Sequence, residues 1–128
     1  MEDFIGRKYT GARITKDAIC VAICDDETFM LELLEEKVRK ILPSAVIEKF
    51  SSGRELLEGN TKVDILFLDI QMPEVDGMET ARLFRRQRRD ALIIFVTAAP
   101  EYVFQAFDVG AFHYLVKPLS DDKFDEVF

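Results

Sequence analysis

The run Ile65-Leu66-Phe67-Leu68 is apolar with no polar alternation. Four residues are too few for a helix, so it reads as a strand buried on both faces, as in a parallel sheet covered by helices. It ends in Asp69, and the chain then turns through Pro73 and Asp76-Gly77. Open α/β sheets place their chemistry outside the carboxyl ends of such strands. A lone acid there is more often a cap or a turn residue, so the other residues reaching that edge decide the matter.

Four further segments read as strands, three of them similarly apolar. Ala18 to Cys24 is continuously apolar and runs into Asp25-Asp26-Glu27. Val46 to Phe50 is short. Ala91 to Val96 ends at Thr97, and Phe112 to Val116 ends at Lys117-Pro118. Helical spacing fills the gaps. From Thr28, residues Met30, Leu33, Leu34, Val38 and Ile41 form one stripe, and Pro43 lies just past its end. Ser51 or Ser52 can cap a second helix through Leu57, closed by Gly59. A third is expected from about Met78 to Arg89, a fourth from Glu101 to Val109 before Gly110, and a fifth after Ser120. On the fourth, Val103 and Phe107 are expected to face the core, with Tyr102 and Phe104 left for a partner surface.

Alternation of this kind with short connections gives an α/β fold, a doubly wound five-stranded parallel sheet. The flavodoxin-like order 2-1-3-4-5 suits five strands. It makes the first and third strands neighbours, so Asp25, Asp26 and Asp69 meet at one edge with Thr97 and Lys117. Clustered carboxylates repel and resist joint ionisation. A divalent cation relieves that repulsion, and an all-oxygen set suits Mg²⁺. Lys117 and the Thr97 hydroxyl can donate to a tetrahedral oxyanion. Asp69, on the central strand, is placed to attack phosphorus as a carboxylate nucleophile, giving an acyl phosphate.

The rest of the sequence narrows the class. At 128 residues the chain is one domain with room for one core. A net charge of -7 argues against a nucleic-acid-binding surface. The basic cluster Arg82, Arg85, Arg86, Arg88 and Arg89 reads as a solvated helix end complementing its own dipole. No apolar run approaches the length of a membrane span, and the N-terminus lacks a signal-peptide core. Cys20 and Cys24 read as buried free thiols. Met72 and Met78 read as packing residues, and His113 as a partly exposed strand residue.

From Ala18 to Phe128 the chain resembles the receiver domain of bacterial two-component response regulators. The marks are Cys24-Asp25-Asp26-Glu27, Leu68-Asp69-Ile70-Gln71-Met72-Pro73 with Asp76-Gly77, Val96-Thr97-Ala98, and Lys117-Pro118. Each alone is weak; all four in order are specific. The resemblance implies a phosphoacceptor at Asp69 and Mg²⁺ held by Asp26 directly, Asp25 through water, Asp69 and the backbone carbonyl of Gln71. It implies a switch hydroxyl at Thr97, a phosphate-binding Lys117, a cis bond between Lys117 and Pro118, and a rotating switch aromatic at Tyr114. The expected phosphoryl donor is a sensor histidine kinase. The domain itself is expected to be cytoplasmic, not an enzyme beyond slow self-catalysed phosphotransfer and dephosphorylation, and without direct contact to nucleic acid or membrane.

Phe95-Val96-Thr97-Ala98, Glu101-Tyr102, Ala106-Phe107 and Ala111 to Pro118 look like receivers of the LytR/AlgR type, which carry a LytTR DNA-binding domain. On that basis residues 18-128 are expected to be a receiver whose last helix is cut short, controlling an attached output domain. Met1 to Asp17 are expected to be a flexible leader. A homodimer through the fourth helix, fifth strand and fifth helix is expected on phosphorylation, with Tyr114 turning from exposed to buried. Two rivals stand beside this reading. A Mg²⁺-dependent phosphohydrolase with an Asp nucleophile needs an acid two residues on, where Gln71 stands. An FMN binder of the same fold needs a phosphate-cradling first loop, where Asp25-Asp26-Glu27 would repel.

Overall fold

A computed structural model describes residues 18–59 and 62–127. The leader expected at Met1 to Asp17 lies outside them. The elements are β1 (Cys20–Cys24), α1 (Thr28–Ile41), β2 (Val46–Phe50), α2 (Gly53–Glu58), β3 (Ile65–Leu68) and α3 (Gly77–Gln87). They continue with β4 (Leu92–Thr97), a 3-10 turn (Pro100–Tyr102), α4 (Val103–Asp108), β5 (His113–Val116) and α5 (Asp121–Val127). The strands form one parallel sheet in the order β2-β1-β3-β4-β5. The order read from the strand alternation is the one found.

Side chains of a strand alternate between faces, so each central strand feeds two cores. Val21 and Ile23 of β1, Ile65 and Phe67 of β3, and Ile94 and Val96 of β4 pack with Leu34, Val38 and Phe124 from α1 and α5. Phe67 stacks on Phe124 with ring centroids 5.7 Å apart. Ala22, Cys24, Leu66, Leu68, Ile93 and Phe95 pack on the other face with Leu56, Ala81, Phe84 and Ala106 from α2, α3 and α4. Covering both faces is what makes the strand sequences uninterrupted in their apolar character.

Side-chain caps fix where three of the helices begin. The Ser52 hydroxyl accepts from the Glu55 N–H at 3.1 Å, while the Glu55 carboxylate takes the Ser51 N–H at 2.8 Å. Asp76 accepts from Glu79 N–H at 2.9 Å, and Ser120 from Lys123 N–H at 3.2 Å. Gly59 does close α2, but in an extended conformation (φ -71°, ψ 143°), so no left-handed cap is formed there. Gly110 has φ +69° and does end the fourth helical segment in the left-handed region. Among the described residues no helix is long and apolar enough to cross a membrane.

Two expectations about helix faces fail. The fourth segment opens with a 3-10 turn, and α4 begins only at Val103, which moves the buried stripe to Ala106 and Val109. Phe107, expected in the core, is 72% exposed and Phe104 is 79% exposed, while Val103 and Tyr102 are half-buried. The basic end of α3 is also not uniformly solvated. Arg85 is half-buried and donates to the carbonyls of Ala91 (2.6 Å), Arg89 (3.0 Å), Arg88 (3.2 Å), Val109 (3.0 Å) and Gly110 (3.0 Å). It ties the helix end to the turn after α4.

Candidate functional site

Parallel register brings the strand ends together. Cys24 pairs with Leu68 and Leu68 with Phe95, so the residues following β1 and β3 stand side by side. The Asp69 N–H donates to the Cys24 carbonyl at 3.0 Å, and the Lys117 N–H to the Thr97 carbonyl at 2.8 Å. Asp25 and Asp69 are 1% and 4% exposed, Thr97 is fully buried, and Asp26 is exposed. One carboxylate oxygen from each of Asp25, Asp26 and Asp69 lies within 4.8 Å of the others.

Lys117 spans this cluster. Its ammonium donates to Asp25 Oδ2 at 3.0 Å, to Glu27 Oε1 at 3.1 Å and to Asp69 Oδ2 at 3.3 Å. The remaining oxygens are held from the backbone: Asp25 Oδ1 by the Glu27 N–H at 2.9 Å, and Asp69 Oδ1 by the Gln71 N–H at 3.2 Å. Gln71 itself is exposed on the loop after β3. The Asp25 carboxyl is pushed up from its ordinary range, chiefly by burial; bonds from the Glu27 N–H and Lys117 pull the other way, and Asp69 adds repulsion. Burial opposes the Lys117 charge, yet the Asp25 hydrogen bond and the charges of Asp69 and Asp25 outweigh it and raise its pKa.

The loop after β3 returns tightly to the strand. The Gly77 N–H donates to the Ile70 carbonyl at 2.7 Å, and a Cβ on Gly77 would lie 2.0 Å from the Asp69 carbonyl oxygen. Only a glycine permits that approach. Met72 and Met78 are buried packing residues, as expected. Cys24 is buried beside the site, and burial, with Asp25 and Asp69 nearby, pushes its thiol up to about 12. Burial, with Glu48 and Asp64 nearby, takes Cys20 to about 11, so both are free and protonated at neutral pH.

Thr97 accepts a bond from the Ala99 N–H at 3.3 Å, and the Ala99 carbonyl accepts from the Tyr114 hydroxyl. The Tyr114 ring lies 5.9 Å from that of Phe95 and is half-buried. The fully exposed Tyr114 that the switch reading expects is not found: with a carbonyl for its hydroxyl and Phe95 beside its ring, it is half-buried. The Lys117–Pro118 peptide is cis.

Sequence reading located the acids, Thr97 and Lys117, but gave no role to Glu27. Its only sequence signal was its place as the third acid after β1.

An acidic, all-oxygen cluster beside an ammonium is able to bind a hard divalent cation and a phosphoryl group. The donor set fits Mg²⁺. The sequence profile of the response regulator receiver domain matches residues 21–128. The chain is similar to the positive alginate biosynthesis regulatory protein of Pseudomonas aeruginosa, with 37% identity over 109 residues, covering 83% of this chain and 44% of that protein. It is similar to the sensory transduction protein LytT of Bacillus anthracis, with 30% identity over 105 residues, covering 80% and 43%. The chain thus spans less than half the length of these curated relatives. Among solved structures it resembles the response regulator TrrA of Thermotoga maritima in complex with Mg(2+)-BeF, with TM-score 0.74 and 30% identity, covering 84% of this chain and 94% of that one. Strand order, acidic edge and sequence profile agree: the chain belongs to the response regulator receiver domains of two-component signalling, a signalling domain rather than a conventional enzyme, with regulators of the LytT and alginate type among its relatives.

Proposed function

We propose that this chain accepts a phosphoryl group on Asp69 and passes the change to an attached output domain of the DNA-binding kind. The observation that carries the reading is Lys117, which joins the ends of β1, β3 and β5 by bonding both Asp25 and Asp69. Response regulators take phosphate from sensor histidine kinases. An Asp69 carboxylate oxygen attacks phosphorus while the bond to the donor imidazole nitrogen breaks. The electron pair leaves with the imidazole, and Asp69 becomes an acyl phosphate.

Asp26 and Asp69 would hold Mg²⁺ directly, with Asp25 through water and the Gln71 carbonyl completing the protein's share. Bound there, the ion neutralises phosphoryl oxygens. The Lys117 ammonium and the Thr97 hydroxyl bind the same oxygens from the other side. Thr97 is joined through Ala99 to Tyr114. Drawing its hydroxyl toward Asp69 therefore displaces the carbonyl that holds Tyr114, and with it the start of α4. The reading implies a cytoplasmic domain. In the experiment that tests it, the chain is labelled with acetyl phosphate and Mg²⁺ and its label is probed with hydroxylamine. Asp69→Asn is expected to take no such label; labelling equal to the parent would refute the assignment.

A further inference from the structure

Lys117 has three donors, and all three meet carboxylates: Asp25, Glu27 and Asp69. As an acyl phosphate Asp69 no longer carries its own charge, so its donor passes to the phosphoryl oxygens; a second donor of the ammonium reaches them only if Asp25 or Glu27 lets go. These two are not equivalent. The side chain of Asp25 is 1% exposed and would be left as a buried charge short of its partner. The Glu27 side chain is 62% exposed and can return to water at little cost.

Glu27 also occupies an unusual place for what it does. It stands at the N-cap of α1, where its carbonyl accepts from the N–H groups of Met30 and Leu31. Its carboxylate makes no capping bond to that helix. It reaches instead across the mouth of the site to an ammonium ninety residues on. Its own N–H meanwhile fixes Asp25 Oδ1. One residue thus sets Asp25 through its backbone and Lys117 through its side chain.

We propose that Glu27 is a positioning residue for phosphoryl acceptance: it holds Lys117 over the empty acceptor and is the partner displaced when a phosphoryl group arrives. The inference rests on the phosphoacceptor reading of Asp69. Losing this exposed competitor frees Lys117 for the phosphoryl oxygens.

The test uses the full chain with saturating Mg²⁺, and beryllofluoride as the phosphoryl mimic. Glu27→Gln removes the charge and keeps the length. Glu101→Gln removes the same charge from an exposed residue that is not among the partners of Lys117. Glu27→Gln is expected to bind beryllofluoride about two- to fivefold tighter than the parent, the scale of one exposed ion pair, with Glu101→Gln close to the parent. The Lys117 ammonium resonance, read with nitrogen-15-labelled lysine, reports the contact itself. It should differ between Glu27→Gln and the parent in the free chain, and coincide once both hold beryllofluoride. An affinity gain no larger than that of Glu101→Gln overturns the inference, as does a Lys117 resonance indifferent to Glu27 in the free chain. So does one still sensitive to Glu27 when the mimic is bound. A parent that binds no beryllofluoride would overturn the phosphoacceptor reading as well, which separates the two failures.

Discussion

Asp25 sits almost wholly out of water, and burial is the largest influence on its acidity. Its folded pKa lies above its unfolded value, so the folded chain holds that proton more tightly than the unfolded one. The stability this contributes is complete below the unfolded pKa, near 4, and is lost as pH rises through the raised folded value. At neutral pH Asp25 therefore destabilises the metal-free domain. Asn at this position keeps an acceptor for the Glu27 N–H and leaves Lys117 with Asp69 and Glu27. Asp25→Asn is expected to melt higher than the parent at pH 7 in chelator, with the gap closing below about pH 4. Melting curves across that range decide it; a variant less stable at pH 7 would show that the bond to Lys117 outweighs the burial. The same substitution should weaken the response to Mg²⁺, because the carboxylate that suffers from burial is one the ion would relieve.

At the level of elements, the strands were legible because a sheet covered on both faces permits no polar alternation, and Ile65 to Leu68 and Leu92 to Val96 obey that rule residue by residue. The acids, Thr97 and Lys117 were legible for the related reason that each interrupts an apolar run at its carboxyl end. What sequence did not reveal depends on contacts between distant segments. The phase of α4 is set by a 3-10 turn with three residues per turn, so an α-helical count from Glu101 assigns Phe107 to the wrong side. Arg85 looked like its neighbours in the basic cluster, and only the fold brings Val109 and Gly110 to it. Arg85→Ala would leave these carbonyls without their donor. It is expected to cost about 2–3 kcal/mol, in the range for hydrogen bonds to a charged group. Urea titration measures the loss, and hydrogen exchange should show reduced amide protection first at Gly110 and Ala111, the residues at the clamped turn. A loss confined to the free end of α3 would mean that Arg85 serves that helix alone.

Over the whole molecule, α4 is the α-helix with the fewest buried residues among those described. Ala106 is its one buried residue, while Phe104 and Phe107 stand in solvent. Beside them Val103, Ala106, Phe107, Phe112 and Tyr114 line an apolar hollow of about 280 Å³. Large apolar side chains exposed beside such a hollow mark a surface for association. The proposed route from Thr97 through Ala99 and Tyr114 ends here. Beryllofluoride with Mg²⁺ is expected to raise the mass measured by sedimentation equilibrium, and Phe107→Ser to lower the gain at least several-fold without altering the beryllofluoride affinity measured at dilutions where the chain is monomeric. The coupling needed is modest, about 1–3 kcal/mol. A mass change that survives Thr97→Ala undiminished would rule out the route, and one that survives Phe107→Ser would rule out the surface.

Lys117 gives the domain a counterion that it cannot lose by dilution. Two buried carboxylates would otherwise have to wait for an ion from solution before the sheet edge could close over them. Because the ammonium is part of the chain, it comes to both carboxylates with β5 itself. Folding is thereby expected to need neither metal nor signal. A chain refolded in chelator should reach its native state, and chelation should not melt it.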